Sequence, residues 1–152
     1  GRMWENDPTV GWWRSQTINH INKINQKHQH EKVDPQQRIS RDQYIEELHR
    51  SVVCTSPFGK GEICYRDFEA FITGSVLVKP SMDHILTFPD LYIKNSTYIA
   101  HQWDFNEFQQ QIREILARPK SYEKVTLNAQ KRLSDLLTKN DSFINQLEGL
   151  LQ

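Results

Sequence analysis

Residues 52–80 read VVCTSPFGKGEICYRDFEAFITGSVLVKP, and the order of signals within them decides the fold. The apolar run at 52–54 is typical of a short strand that is buried on both faces. A glycine-containing loop follows, a helix is predicted from 62 to 73, and Gly74 is placed to end that helix. A second apolar run at 76–78 indicates another buried strand. The order strand, loop, helix, strand predicts one βαβ unit with parallel strands.

The predicted helix has two different faces. At about 100° per residue, one stripe is expected to pack on the sheet and consists of Cys64, Phe68, Phe71 and Ile72. The charged residues Glu62, Arg66 and Glu69 fall on the opposite side. A glycine loop that opens a helix offers backbone N–H groups and a positive dipole end to phosphate, and Lys60 and Arg66 would add charge. The alternative is that the charged residues form ordinary surface pairs, and spacing alone leaves both interpretations open.

A resemblance favours the first interpretation. The sequence SPFGKGEICYRDFEA at 56–70, followed by GSVLVKP at 74–80 and FPDLY at 88–92, resembles the C-terminal half of GT-B glycosyltransferases. More narrowly, it is similar to the bacterial group-1-like branch, which carries a Gly-x-Gly-Glu-x-x-x-Arg-x-x-Glu-Ala core. The similarity covers residues 40–118 and is densest at 52–90.

The resemblance implies both a fold and a site. The fold would be a three-layer, Rossmann-like α/β sandwich with a small parallel sheet, which binds a nucleotide-sugar for transfer to a glycan or surface polysaccharide without a metal. Arg66 and Glu62 would be catalytic, although the family's earlier glutamate falls at Gly61 here. Glu69 matches the family glutamate that holds the ribose hydroxyls, and Arg14 corresponds to an arginine that opens a helix near the donor. The donor contacts would be Ser56, Phe58, Gly59, Lys60, Gly61, Glu69, Lys79, Ser81 and His84.

The loop after the second strand supports part of this set from position alone. In open α/β sheets, ligands bind outside the carboxyl ends of the strands, which is where Ser81 and His84 are expected. The competing interpretation is a capped short helix at 81–84. Trp4, Trp12 and Trp13 are expected to pack on the domain or on a neighbour, with stacking on a sugar as the alternative.

Length and composition limit the function further. A chain of 152 residues is expected to form one domain at 1–152, with an irregular segment at 1–13 and a helical segment at 125–151. Nineteen basic and nineteen acidic residues give a formal net charge of zero, so no global field favours nucleic acid. No apolar run approaches the ~20 residues of a membrane span. Because one GT-B half has this length, the acceptor site and any general base are expected on an absent N-terminal domain or partner chain.

The cysteines and histidines carry weaker signals. Cys54 and Cys64 are expected to be buried free thiols, which favours a reducing compartment such as the cytoplasm, with the inner face of a membrane as an alternative location. The histidines at 20, 28 and 30 lack carboxylates or thiols at ligand spacing, so a metal site is not expected.

Elsewhere, the helical patterns are clear. They predict a helix over 13–27, a second helix that starts at Ser40 with Gln43 completing a capping box, and a third that starts at Asp104 with Glu107 completing the box. A strand is predicted at 97–100. The core stripe of the last of these helices is expected to be Phe105, Phe108, Ile112, Ile115 and Leu116. Besides the transferase, the sequence leaves open a non-enzymatic α/β nucleotide-binding or protein-interaction module, and a small thiol enzyme.

Overall fold

The computed structural model describes residues 7–27 and 39–138. In chain order the elements are α1 (Pro8–Lys27), α2 (Arg41–Arg50), β1 (Val53–Thr55), α3 (Tyr65–Thr73), β2 (Val76–Pro80), β3 (Ile99–His101), α4 (Phe108–Ala117), a short 3-10 helix (Pro119–Tyr122) and α5 (Glu123–Thr138). Trp4, His28, His30 and the predicted helical residues 139–151 lie outside the described part of the chain.

The strands form one parallel sheet in the order β1-β2-β3. Every residue of β2 is buried, because helices cover the sheet on both sides. The helices α3 and α5 pack together against β2, while α4 packs against β1, β3 and α1. The α/β class and the small open parallel sheet are therefore confirmed, and α3 joins β1 to β2 as the predicted βαβ unit.

The helix α3 begins later than predicted, and its predicted core face is confirmed for Phe71, which is buried, and for Phe68, which packs against the core. It starts at Tyr65 rather than at 62, because the backbone N–H of Cys64 is capped by the Asp67 carboxylate at 3.1 Å. Asp67 is fully buried, whereas Ile72, which was expected in the core, is exposed. Gly74 ends the helix as predicted, with φ of 76° and a hydrogen bond from its N–H to the Ala70 carbonyl.

The helix α1 begins earlier than predicted, so the irregular segment expected at 1–13 was wrong for residues 8–13. The carboxylate of Asp7 accepts a hydrogen bond from the Val10 N–H at 3.1 Å, and Pro8 occupies the first turn. These are ordinary helix-start signals. As a result, Trp13 is carried on a helix and buried in the core, while Trp12 stays half exposed.

Two helix caps were predicted, and one of them is present. Ser40 and Gln43 form the expected capping box at the start of α2. The predicted box from Asp104 to Glu107 is wrong: α4 starts at Phe108, and the Asp104 carboxylate instead accepts the Asn106 N–H at 3.1 Å in the preceding turn.

The core stripe predicted for α4 is largely confirmed. Its first four members are buried and Leu116 is exposed. The strand predicted at 97–100 lies at Ile99–His101, directly after the buried residues Thr97 and Tyr98. No helix in the described ranges, 7–27 and 39–138, is long and apolar enough to cross a membrane.

Candidate functional site

The glycine loop, residues 56–64, leaves the carboxyl end of β1 and leads into α3. Its first part faces inward: Ser56 is buried and donates its N–H to the Val78 carbonyl at 3.0 Å, and Phe58 is buried in the core. Its tip faces outward, since Lys60 and Gly61 are exposed. The tip is held as a turn by a 3.1 Å hydrogen bond from the Gly59 N–H to the Gly61 carbonyl.

Gly61 leaves backbone open to solvent. A Cβ added at Gly61 would meet no atom within 4 Å, and a Cβ at Gly59 would lie 3.5 Å from the Cys64 sulfur, which is an ordinary contact. Neither glycine has a positive φ. The fold therefore does not require a glycine at 61, and its bare backbone is accessible from outside.

Beneath the loop lies a buried ion pair. Lys79 Nζ and Asp67 Oδ2 are 3.1 Å apart, and both side chains are 0% exposed. The hydroxyl of Tyr92 donates to the same carboxylate oxygen at 2.8 Å, and burial together with the Asp67 charge raises the pKa of Tyr92. Lys79 also donates to the Glu62 carbonyl, and its ammonium lies 5.0 Å from the centre of the Phe58 ring.

Lys79 was predicted to contact the donor, but its buried position gives it a structural role. Its ammonium is enclosed, so it holds the loop backbone at Glu62 from below instead of facing the open side of the loop. The sequence-predicted donor contacts at Ser56, Phe58 and Lys79 thus form the floor of the loop. The tip contributes residues 59–61, of which Lys60 and Gly61 are exposed.

A second polar group joins α2 to α3. The Tyr44 hydroxyl donates to Glu69 Oε2 at 2.6 Å and accepts a hydrogen bond from Arg66. Burial opposes the charge of Arg66, but the interactions with Tyr44 and Glu69 outweigh it and raise the pKa of Arg66. Arg66 and Glu69 therefore lie on one side of α3, as the sequence predicted, and are oriented by Tyr44.

Arg14 of α1 approaches the same place. Burial, and then the like charge of Arg66, lower the pKa of Arg14, while Cys64 acts in the opposite direction. The two guanidinium groups come from separate helices, and Arg14 interacts electrostatically with both Arg66 of α3 and Cys64, the residue before α3. The neighbouring Trp13 packs against Phe58 at 5.1 Å, which fixes this part of α1 over the loop.

The loop after β3 adds an aromatic residue, Trp103, that was not predicted from the sequence. Trp103 lies 5.1 Å from His84, and His84 Nε2 lies 3.7 Å from Glu62 Oε1. Glu62 is thus in the loop before α3, not on the helix. Ser81 lies in a turn, where its hydroxyl accepts the Asp83 N–H at 3.3 Å, so the alternative of a short helix at 81–84 is excluded.

The thiols and histidines offer little chemistry. Cys54 and Cys64 are unbonded to each other, and burial raises the pKa of the Cys54 thiol to about 12, which disfavours a nucleophilic thiolate there. Cys64 is only partly buried. Across residues 7–27 and 39–138, no group of three His, Cys, Asp or Glu side chains is arranged to hold a metal ion.

No family model, curated protein or solved structure matches the chain. The features that bear on function are therefore the exposed loop tip, the interacting pair Arg14 and Arg66, and Glu69, which accepts a hydrogen bond from Tyr44.

Proposed function

We propose that this chain is the Rossmann-like, donor-binding half of a GT-B glycosyltransferase, which binds a nucleotide-sugar at the glycine loop. The observation that carries the proposal is that Arg14 of α1 and Arg66 of α3 interact electrostatically, in a fold whose loop before α3 leaves the backbone of Gly61 open. Tyr44 and Glu69 already stabilise the charge of Arg66, and a phosphate oxygen that reached both guanidinium groups would add a further favourable interaction. A diphosphate suits this arrangement, because guanidinium groups bind phosphate oxygens in bidentate fashion.

Glu69, one turn after Arg66 on α3, is suited to bind the nucleoside end of the donor. Glu69 uses Oε2 to accept the Tyr44 hydroxyl, which fixes the carboxylate against α2. A fixed carboxylate is a suitable acceptor for the adjacent hydroxyls of a ribose. The Arg66–Glu69 spacing would then place the diphosphate near the start of the helix and the ribose beside its second turn.

The chemistry would be electrostatic. The bond between the anomeric carbon and the diphosphate oxygen breaks, the electron pair leaves with the diphosphate, and an acceptor hydroxyl forms the new bond. Arg66, Arg14 and the exposed backbone at Gly61 would stabilise the charge that develops on the leaving group. The acceptor site, and the base that takes the hydroxyl proton, are assigned to an N-terminal domain or partner chain, so this chain alone would bind donor without turnover.

Titration calorimetry with UDP, ADP and GDP tests the proposal. We expect one of these nucleotides to bind, and Arg66→Ala or Arg14→Ala to lower its affinity by about tenfold or more, since charge-assisted hydrogen bonds are lost. The affinity should also fall with added salt. Arg50→Ala, at an exposed position in the last turn of α2, is the matched control and should change nothing.

Thermal melting of each variant separates lost binding from lost folding. Equal affinities for the wild type, Arg66→Ala and Glu69→Ala would refute the donor site. Absence of binding by every nucleotide to the folded wild type would refute it as well.

One observation favours a second candidate, a non-enzymatic interaction module. Large apolar side chains stand in solvent near the same loops: Leu86 is fully exposed, and Tyr65 and Phe88 are also exposed. Such side chains are typical of a surface that a partner covers. This function predicts that nucleoside diphosphates do not bind, so the same calorimetry separates the two candidates.

A further inference from the structure

Three side chains from three separate connections meet at the carboxyl edge of the sheet. Glu62 follows β1, His84 follows β2 and Trp103 follows β3. His84 Nε2 lies 3.7 Å from Glu62 Oε1, and the His84 and Trp103 rings are 5.1 Å apart and almost perpendicular, at 80°. The parallel strand order β1-β2-β3 is what brings residues so distant in sequence together.

Trp103 is held firmly but keeps an open surface. Its indole N–H donates to the Ser81 carbonyl at 3.2 Å, and its ring packs edge-on against Phe58 at 5.6 Å and Trp13 at 5.9 Å. Even so, 47% of Trp103 is exposed. The side chains of His84 and Glu62 are also partly exposed. The result is a rigid aromatic surface with a carboxylate and an imidazole at its side.

This combination suits a pyranose ring. A hexose has an apolar face of C–H groups, which packs on an aromatic ring, and a rim of hydroxyls, which need acceptors and donors. The Glu62 carboxylate accepts hydrogen bonds, and the imidazole of His84 donates or accepts. A nucleobase would also stack on Trp103, but the Glu69 carboxylate that suits a ribose lies against α2, whereas Trp103 follows β3.

We infer that Trp103, His84 and Glu62 form the subsite for the hexosyl group of the nucleotide-sugar. The inference rests on the proposed donor function, because it assumes that the diphosphate lies at the glycine loop. The donor would then extend across the carboxyl edge, with the nucleoside toward α2 and the hexose toward the loop after β3.

Paired titrations of the 152-residue chain test the subsite. UDP, ADP and GDP are compared with UDP-glucose, ADP-glucose and GDP-mannose by calorimetry and by the indole N–H signals in an NMR spectrum. We expect Trp103→Ala to weaken the hexose conjugate by about tenfold while the matching nucleoside diphosphate keeps its affinity. His84→Ala, which changes an exposed side chain, should act in the same selective direction.

Trp12→Ala is the matched control. Trp12 is 48% exposed and belongs to the same aromatic cluster, but its ring contacts are with Trp13 and Phe105. It should leave both affinities unchanged. Trp103→Phe keeps an aromatic face and guards against misfolding of the alanine variant, and it should retain more hexose affinity than alanine does.

The outcomes separate this inference from the donor proposal. The hexose subsite would be overturned if the conjugate and the nucleoside diphosphate lost affinity equally, or if neither Trp103→Ala nor His84→Ala weakened binding of the conjugate. Either result would leave the diphosphate site intact. If no nucleoside diphosphate binds, the donor proposal fails. In that case a titration with methyl hexosides decides the subsite: a shift of the Trp103 indole signal supports it, and an unshifted signal overturns it.

Discussion

The buried pair of Lys79 and Asp67 is expected to be the most sensitive polar contact in the described fold. At 3.1 Å and an effective dielectric constant of ~20, the attraction between the two charges is about 5 kcal/mol before desolvation is counted. Lys79→Met would leave Asp67 buried without its cation, and one of its oxygens, Oδ1, already has no hydrogen-bond partner. We expect the free energy of unfolding to fall by roughly 3–5 kcal/mol. Denaturant titration of the wild type and variant measures this difference.

The double variant Lys79→Met with Asp67→Asn isolates the cause, because Asn removes the charge but keeps an oxygen that can accept the hydrogen bonds from the Cys64 N–H and the Tyr92 hydroxyl. With both charges gone, it should recover much of the loss seen in the single variant. The exposed pair of Lys131 and Asp135, with Nζ and Oδ2 2.8 Å apart, is the control, and Lys131→Met should cost at most about 1 kcal/mol. A Lys79→Met variant that loses less than about 1 kcal/mol would refute the reasoning, as would a double variant no more stable than the single one.

Other perturbations test separate parts of the fold and site. Gly61→Ala should leave the melting temperature unchanged, since the added Cβ meets open space, but it should weaken nucleoside diphosphate binding in calorimetry. Gly74→Ala, at a φ of 76°, should instead lower the free energy of unfolding by about 1 kcal/mol in denaturant titration. Burial lowers the pKa of His101 to about 4, so below pH 6.5 the unfolded chain binds a proton that the folded chain does not, and stability falls as the pH drops toward 4. The loss should reach roughly 3 kcal/mol, and His101→Gln should flatten the stability profile over that range. Tyr44→Phe removes the hydroxyl that orients Glu69, and should cost about 1 kcal/mol in denaturant titration.

The βαβ unit could be predicted because its signals are local. The apolar run of β2 and the αL glycine at Gly74 act on the residues beside them, and both have the predicted role. The start of α3 depends on a more distant contact. Asp67 faces the core because it meets Lys79 and Tyr92, and nothing in the helical period reveals a carboxylate whose partners lie on a later strand and in a later loop.

The same contrast between local signals and distant contacts holds for the candidate site. Arg66 and Glu69 could be placed on one side of α3 from helical spacing, but their link through Tyr44 required the packing of α2. Trp103 was missed because its contact with His84 arises only when consecutive strands align their ends. The signal available was a tryptophan just after a predicted parallel strand, which is the position where ligands bind in such sheets.

The backbone and the side chain of Glu62 contact different neighbours. Its carbonyl is anchored from below by Lys79, while its carboxylate extends toward His84 at the surface. The contact with Lys79 that holds the main chain at 62 is therefore made by the backbone and not by the side chain. Under the proposed donor function, saturation mutagenesis at this codon should change the preference among hexose conjugates with little penalty in folding yield.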